Sequence, residues 1–168
     1  NAYEGGSGTQ ADPYLIATPE QLARMIGYDV LTNYSGNIEN GSVNKYYKLT
    51  ADIYLNDVSA EDWYLGENLN SWYSAGTSRF NGYFDGNGYT VYGLWFNEGA
   101  QNAALIPVID AYGQNQIYVK NITISHSHII SANRAGAITA LAYNSGTSNL
   151  GMIFENCHVT DTVTISAA

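Results

Sequence analysis

VKNITI (residues 119–124) and FENCHV (154–159) decide how this chain is read. In both, apolar residues stand first, fourth and sixth, an Asn stands third and a polar residue stands fifth. Side chains alternate along a strand, so the pattern describes a strand, a bend at the third place and a second strand. VYGLWF (91–96) repeats the apolar first, fourth and sixth places, with Gly93 at the bend and an outward-capable Trp95 in fifth place. The offset of 35 residues between Val119 and Phe154 also superposes Ile130 on Ile165, Ser131 on Ser166 and Ala132 on Ala167. One such coil cannot bury its own apolar residues. Coils stacked at the roughly 4.8 Å spacing of paired strands cover one another, which makes a solenoid. Gly93, Asn121 and Asn156 then serve conformation, because Gly and Asn tolerate the positive φ of a tight bend.

Working outward, AALIPVIDAYG from Ala103 and AGAITALAYNSG from Ala135 also resemble each other and complete the coil. FNGYFDGNGYTVYGLWF alternates Phe80, Gly82 and Phe84 with Asn81 and Tyr83 before a DGNG turn. YYKLTADIYLN places Tyr47, Leu49, Ala51, Ile53 and Leu55 on one parity, so a strand enters the body there. Between Asp57 and Arg79 lies a loop bearing Trp63, Tyr64, Trp72 and Tyr73, and a second loop rich in Asn, Gly and Ser runs from Tyr28 to Asn44. Near the start, a short strand around Tyr14 to Ile16 leads into a well-signalled helix. Thr18 is its N-cap, Pro19 its first residue, and Gln21 completes a capping box. Leu22, Met25 and Ile26 form one stripe, suited to covering the open end of the solenoid. The expected architecture is all-β, a right-handed parallel β-helix with an N-terminal α-helical cap. Residues 1–45 supply cap and loop, residues 46–168 the coils, and the whole is read as one domain cut from a longer protein.

Composition narrows the function. The chain has 168 residues, is 45% hydrophobic and carries 15 Tyr and 17 Gly, with charged residues at only 12%. That balance suits an extracellular β-protein kept in solution by hydroxyls and amides. The net charge is −9, and the six basic residues, Arg24, Lys45, Lys48, Arg79, Lys120 and Arg134, are scattered. Nothing there attracts nucleic acid or an anionic membrane. No stretch approaches the roughly 20 apolar residues of a membrane span. Cys157, the sole cysteine, takes the place of Ile122 and Leu94 and reads as a small core residue.

The blocks GSGTQADPYLIATPEQL, YYKLTADIYL, FNGYFDGNGYTVYGL, VKNITI and FENCHV together resemble the β-solenoid domains of bacterial cell-surface proteins, including those with the GLUG repeat. The resemblance implies a secreted or surface-attached, adhesin-like module. The family's GGLVG-like block is altered here to Ala135, Gly136, Ala137, Ile138 and Thr139.

For chemistry, the aromatics lead. With Phe80, Phe84, Val91, Leu94 and Phe96 inward, Tyr83, Tyr92 and Trp95 face outward, where flat rings can stack on pyranoses. Trp72 and Tyr73 extend that platform, while Trp63 reads as buried. The expected ligand is a polysaccharide, a plant or host-surface glycan, bound without catalysis; other domains of the same polypeptide are expected neighbours. The alternatives are a spacer or protein-interaction solenoid, and a fragment of a polysaccharide lyase or glycoside hydrolase. Against the last, Asp52, Asp57, Glu61, Asp62, Glu67 and Asp85 come from separate segments and no catalytic motif marks them. No cofactor is expected. Asp85 and Asn87 in the DGNG turn are a possible calcium position, although the turn alone accounts for both. His126 and His128 form an HSH pair that reads as surface residues rather than a zinc site. The sequons at Asn33, Asn40 and Asn121 carry no meaning in a bacterial protein.

Overall fold

A computed structural model describes residues 2–27, 42, 44–74, 79–97, 99–111, 116–146 and 151–168. The sequons at Asn33 and Asn40, and most of the loop from Tyr28 to Asn44, lie outside these residues. The chain winds into an all-β parallel solenoid of about 4 turns. β1 (Tyr14–Ile16) and α1 (Pro19–Met25) precede the first full winding, which holds β2 (Tyr46–Leu49) and β3 (Ile53–Tyr54) and then a 3-10 turn (Trp63–Leu65). The second winding holds β4 (Tyr83–Asp85), β5 (Thr90–Tyr92), β6 (Asn102–Ala103) and β7 (Ile106–Asp110). The third holds β8 (Ile117–Ser125), β9 (Ser127–Ser131), β10 (Arg134–Ala135) and β11 (Thr139–Tyr143), and the fourth β12 (Met152–Val159) and β13 (Val163–Ala167). Every ladder between these strands is parallel.

The core consists of columns that run along the solenoid axis. Tyr47, Phe84, Val119 and Phe154 lie over one another, as do Ile53, Val91, Ile124 and Val159. Each fully buried Ile, Leu or Phe in such a column stabilises the fold by roughly 1.5–3 kcal/mol relative to exposure. β7 and β11 close the other side in register, Ile106 under Thr139 and Val108 under Leu141, as the likeness of their two segments predicts. α1 buries Leu22, Ala23 and Met25. Its capping box is complete, with the Gln21 amide donating to Thr18 Oγ1 at 3.3 Å and the Thr18 amide to Gln21 Oε1 at 3.2 Å.

The bends behave as their residues require: Asn121, Asn156 and Gly93 have φ of 56°, 50° and 80°. Two registers differ from the sequence reading. Val91 lies on Ile124 and Phe84 on Val119, so VYGLWF is out of phase with the other two copies. The Gly93 amide donates to the His126 carbonyl at 2.9 Å, which makes Gly93 the counterpart of His126, one bend further along. The cause is the DGNG turn. Asp85 and Thr90, five residues apart, lie on Lys120 and Thr123, three apart. The second difference follows the same logic. Val159 and Val163 lie on Ile124 and Ser127, four residues over three, so Ile165 covers Ile129 rather than Ile130. The longer turn is held by Thr162, whose Oγ1 accepts the His126 amide at 2.9 Å.

Candidate functional site

An aromatic-lined hollow lies between the first turn of α1 and the segment 69–74. Pro19, Glu20 and Ala23 form one wall and Leu69, Asn70, Ser71, Trp72, Tyr73 and Ser74 the other, with Tyr54 and Leu55 between them, enclosing about 700 Å³. A loop wall needs anchoring, and Asn56 supplies it. Its Nδ2 donates to the Asn70 carbonyl at 3.0 Å and to the Gly93 carbonyl at 2.9 Å, and its Oδ1 accepts the Asn70 amide at 2.7 Å. Trp72 fixes the same wall from the inside, its amide donating to the Trp95 carbonyl at 2.8 Å and its indole Nε1 to the Leu105 carbonyl at 2.9 Å. A buried Asn with its amide satisfied on both sides holds a loop rigidly, because any displacement leaves polar groups unpaired.

Tyr54 borders the groove and extends it onto the outer sheet face. It is 55% exposed. Its ring stacks on Tyr92 with centroids 4.5 Å apart and planes 5° from parallel, and Tyr92 in turn approaches His126 at 5.9 Å. Desolvation and the neighbouring Tyr92 raise the Tyr54 hydroxyl above its ordinary value, so it stays a neutral donor and acceptor through the physiological range.

Of the five aromatics singled out in the sequence, Trp72 and Tyr73 line this groove, and Tyr92 adjoins it only through its stack on Tyr54. Trp72 meets it as a buried wall residue, not as a free stacking face. Tyr83 does face outward from the core, yet it is only 7% exposed, since Tyr46 lies flat on it at 4.1 Å and Tyr118 packs edge-on at 5.0 Å. Trp95 lies elsewhere, opposite His128, beside a second hollow lined by Tyr64, Leu65, Phe96 and Ile130. Tyr64 stacks on His128 at 4.4 Å there, and burial pushes the His128 imidazole below its ordinary value. Trp63 is buried, as the family resemblance implies. Tyr54, Glu20 and Asn70 also line the groove, and no motif in the sequence marks them. A signal for Tyr54 was present, since Ile53 and Leu55 on the inward parity put it outside.

The candidate ion positions have other employment. Asp85 Oδ1 accepts the Asn87 amide at 2.8 Å and Asn121 Nδ2 at 3.0 Å, closing the DGNG turn. His126 Nδ1 lies 2.8 Å from Ser125 Oγ. Among the described residues, no three His, Cys, Asp or Glu side chains converge on a common point. Cys157 is half-buried above Ile122, its thiol 3.4 Å from the Val119 carbonyl, and burial raises it above its ordinary value.

Comparison with known proteins places this geometry in context. No family profile matches the chain. A Gly-rich protein of Evansella cellulosilytica, named as a proposed membrane protein, is 28% identical over 149 residues, which is 86% of this chain and 15% of that protein. Halomucin of Haloquadratum walsbyi is 30% identical over 145 residues, 86% of this chain and 1% of its own length. The chain therefore spans a small part of these relatives. Among solved structures, a Bacteroides ovatus protein named as a proposed immunoglobulin A1 protease superposes on 99% of the chain and 52% of its own, with a TM-score of 0.52 and 16% identity. That likeness is one of fold alone.

Proposed function

We propose that this solenoid is a non-catalytic extracellular binding module of a secreted or surface-attached, adhesin-like protein of the GLUG-repeat type, and that it holds a polysaccharide in the groove between α1 and segment 69–74. The observation that carries the reading is exposed Tyr54, which lines that groove and is stacked on half-buried Tyr92. Tyr54, exposed and backed by the Tyr92 ring, keeps a face free that matches a pyranose face, and Asn70, Ser71, Ser74 and Glu20 stand ready for its hydroxyls. The loop wall is anchored before any ligand arrives, which reduces the ordering entropy lost on binding. A glycosidase needs two carboxylates flanking the bond, and the described lining of this groove holds one, Glu20. The names of two similar proteins, a Gly-rich membrane protein and a halomucin, suit a chain working at the cell surface or outside it. The test is a glycan array followed by gel retardation in the best glycan. Retention that is weakened in both Tyr54→Ala and Tyr92→Ala supports the proposal, and a chain retained by no glycan overturns it.

A further inference from the structure

The groove between α1 and segment 69–74 carries charge of one sign. Tyr92, from the following winding, covers one face of Tyr54, so the free face turns back toward α1, where exposed Glu20 borders the same hollow. Asp52 adds a second carboxylate on the strand itself. It precedes Tyr54 by two residues and so shares its outward parity, about 7 Å away at the rise of a strand. The Thr90 amide holds its Oδ1 at 2.8 Å. Desolvation, Tyr92 and then Asp52 raise the Tyr54 hydroxyl, so the Asp52 charge is felt at the ring.

No cation of the groove balances these two. The six Lys and Arg all lie among the described residues, and none lines the hollow. Arg79 pairs with Asp110 at 3.2 Å, Arg134 Nη1 lies 3.5 Å from Asn102 Oδ1, and Lys120 Nζ stands 4.6 Å from the centre of the Tyr118 ring. Lys48 lies in register with Asp85, and Lys45 just before β2, its carbonyl accepting the Tyr83 amide at 2.9 Å. Arg24 follows Glu20 by one turn, but the helix turns it about 100° from groove-lining Ala23, and it acts on the Tyr3 and Tyr47 hydroxyls. Charges of one sign in a hollow with apolar walls focus their field into it.

We infer that the groove selects by charge: it takes uncharged polysaccharides and rejects chains bearing uronate, sulfate or sialate groups, with Glu20 and Asp52 setting the selection. The inference rests on the glycan-binding reading of this groove and names its ligand class. A sugar hydroxyl can donate to the Glu20 carboxylate. A uronate or sulfate is an acceptor only, and meets that carboxylate oxygen to oxygen.

The experiment compares the best-retained glycan of the array with a derivative of different charge, by gel retardation. A neutral glycan is oxidised at C6 to the uronate; an acidic one is methyl-esterified or desulfated. The gels run at about pH 8, above the ordinary imidazole range, because His126 lies 5.9 Å from Tyr92. At about 0.01 M salt, where fields extend roughly 30 Å, the uncharged member is expected to bind about twentyfold tighter, about fivefold for each carboxylate. In about 1 M salt the preference should collapse while the uncharged member stays bound. Glu20→Gln and Asp52→Asn, the latter keeping an acceptor for the Thr90 amide, should each cut the preference about fivefold. An acidic member bound as tightly as its uncharged counterpart, or a preference that survives both substitutions and high salt, overturns the charge selection and leaves the groove as the glycan site. Retention of no glycan overturns the groove reading itself.

Discussion

Ser145 donates its hydroxyl to Asp110 Oδ2 at 2.6 Å and its amide to Asp110 Oδ1 at 2.9 Å, tying the third winding to the second. The same buried carboxylate pairs with Arg79 Nη1 at 3.2 Å. A carboxylate with this many donors is stable inside only while all of them are present. Asp110→Ala is expected to cost about 3 kcal/mol, read as a lower urea midpoint at unchanged m-value.

Position along the axis decides what a core substitution costs. Ile122 is buried between Cys157 and the preceding winding, so Ile122→Ala leaves a cavity and should destabilise by about 3 kcal/mol. Ile165 continues the Ile129 column into solvent, and Ile165→Ala should cost under about 1 kcal/mol. Chemical denaturation of the two variants side by side checks the contrast, and equal costs would contradict the columnar core.

Gly93 is required twice over. Its φ is 80°, and a Cβ there would meet the Asn56 amide nitrogen at 2.8 Å. Because Asn56 anchors the groove wall, Gly93→Ala should cost about 2 kcal/mol and also weaken glycan retention. Thermal unfolding and gel retardation on the same sample measure both.

Alkali should unfold the protein in a defined window. Burial pushes the Tyr3 and Tyr83 hydroxyls from an ordinary 10 up to about 12 and raises Tyr47 as well. The unfolded chain loses these protons first, so their contribution is fully present below pH 10 and is lost as pH rises toward about 12. Phenolate absorbance should show a late-titrating class of tyrosines that merges with the ordinary class once urea is added.

At the groove, Tyr92→Ala should weaken glycan binding about tenfold, the magnitude of one lost ring contact, while costing little stability. Tyr54, 55% exposed, should behave alike. Tyr83→Ala makes the informative contrast. That ring is held between Tyr46 and Tyr118, so its loss should lower stability and leave retention unchanged in whatever protein remains folded.

The pairing of VKNITI with FENCHV was legible because an unbroken stretch joins the two strands, and the 35-residue spacing therefore carried straight into the ladder of β8 and β12. VYGLWF misled for a physical reason. Both strands of a coil alternate apolar residues around a positive-φ residue, so the pattern also matches one bend out of phase, and only the length of the DGNG turn separates the alternatives. The site was legible in part. Alternation put Tyr83, Tyr92 and Trp95 outside, but alternation says nothing of what lies on top of an outward ring. Tyr46 is 37 residues from Tyr83 in sequence and 4.1 Å away in the fold.

By itself the sequence determined the architecture: strands with apolar alternation, bends that Asn and Gly alone enter without strain, and a helix with its start written in Thr18, Pro19 and Gln21. These are local properties, settled within a few residues by sterics and hydrogen bonding. The tertiary structure alone decided the register between windings and the identity of the groove, because both depend on how turns of unequal length bring distant segments together. Tyr54 joined Tyr92, and Asn56 pinned Asn70, only once the coils were laid one upon another.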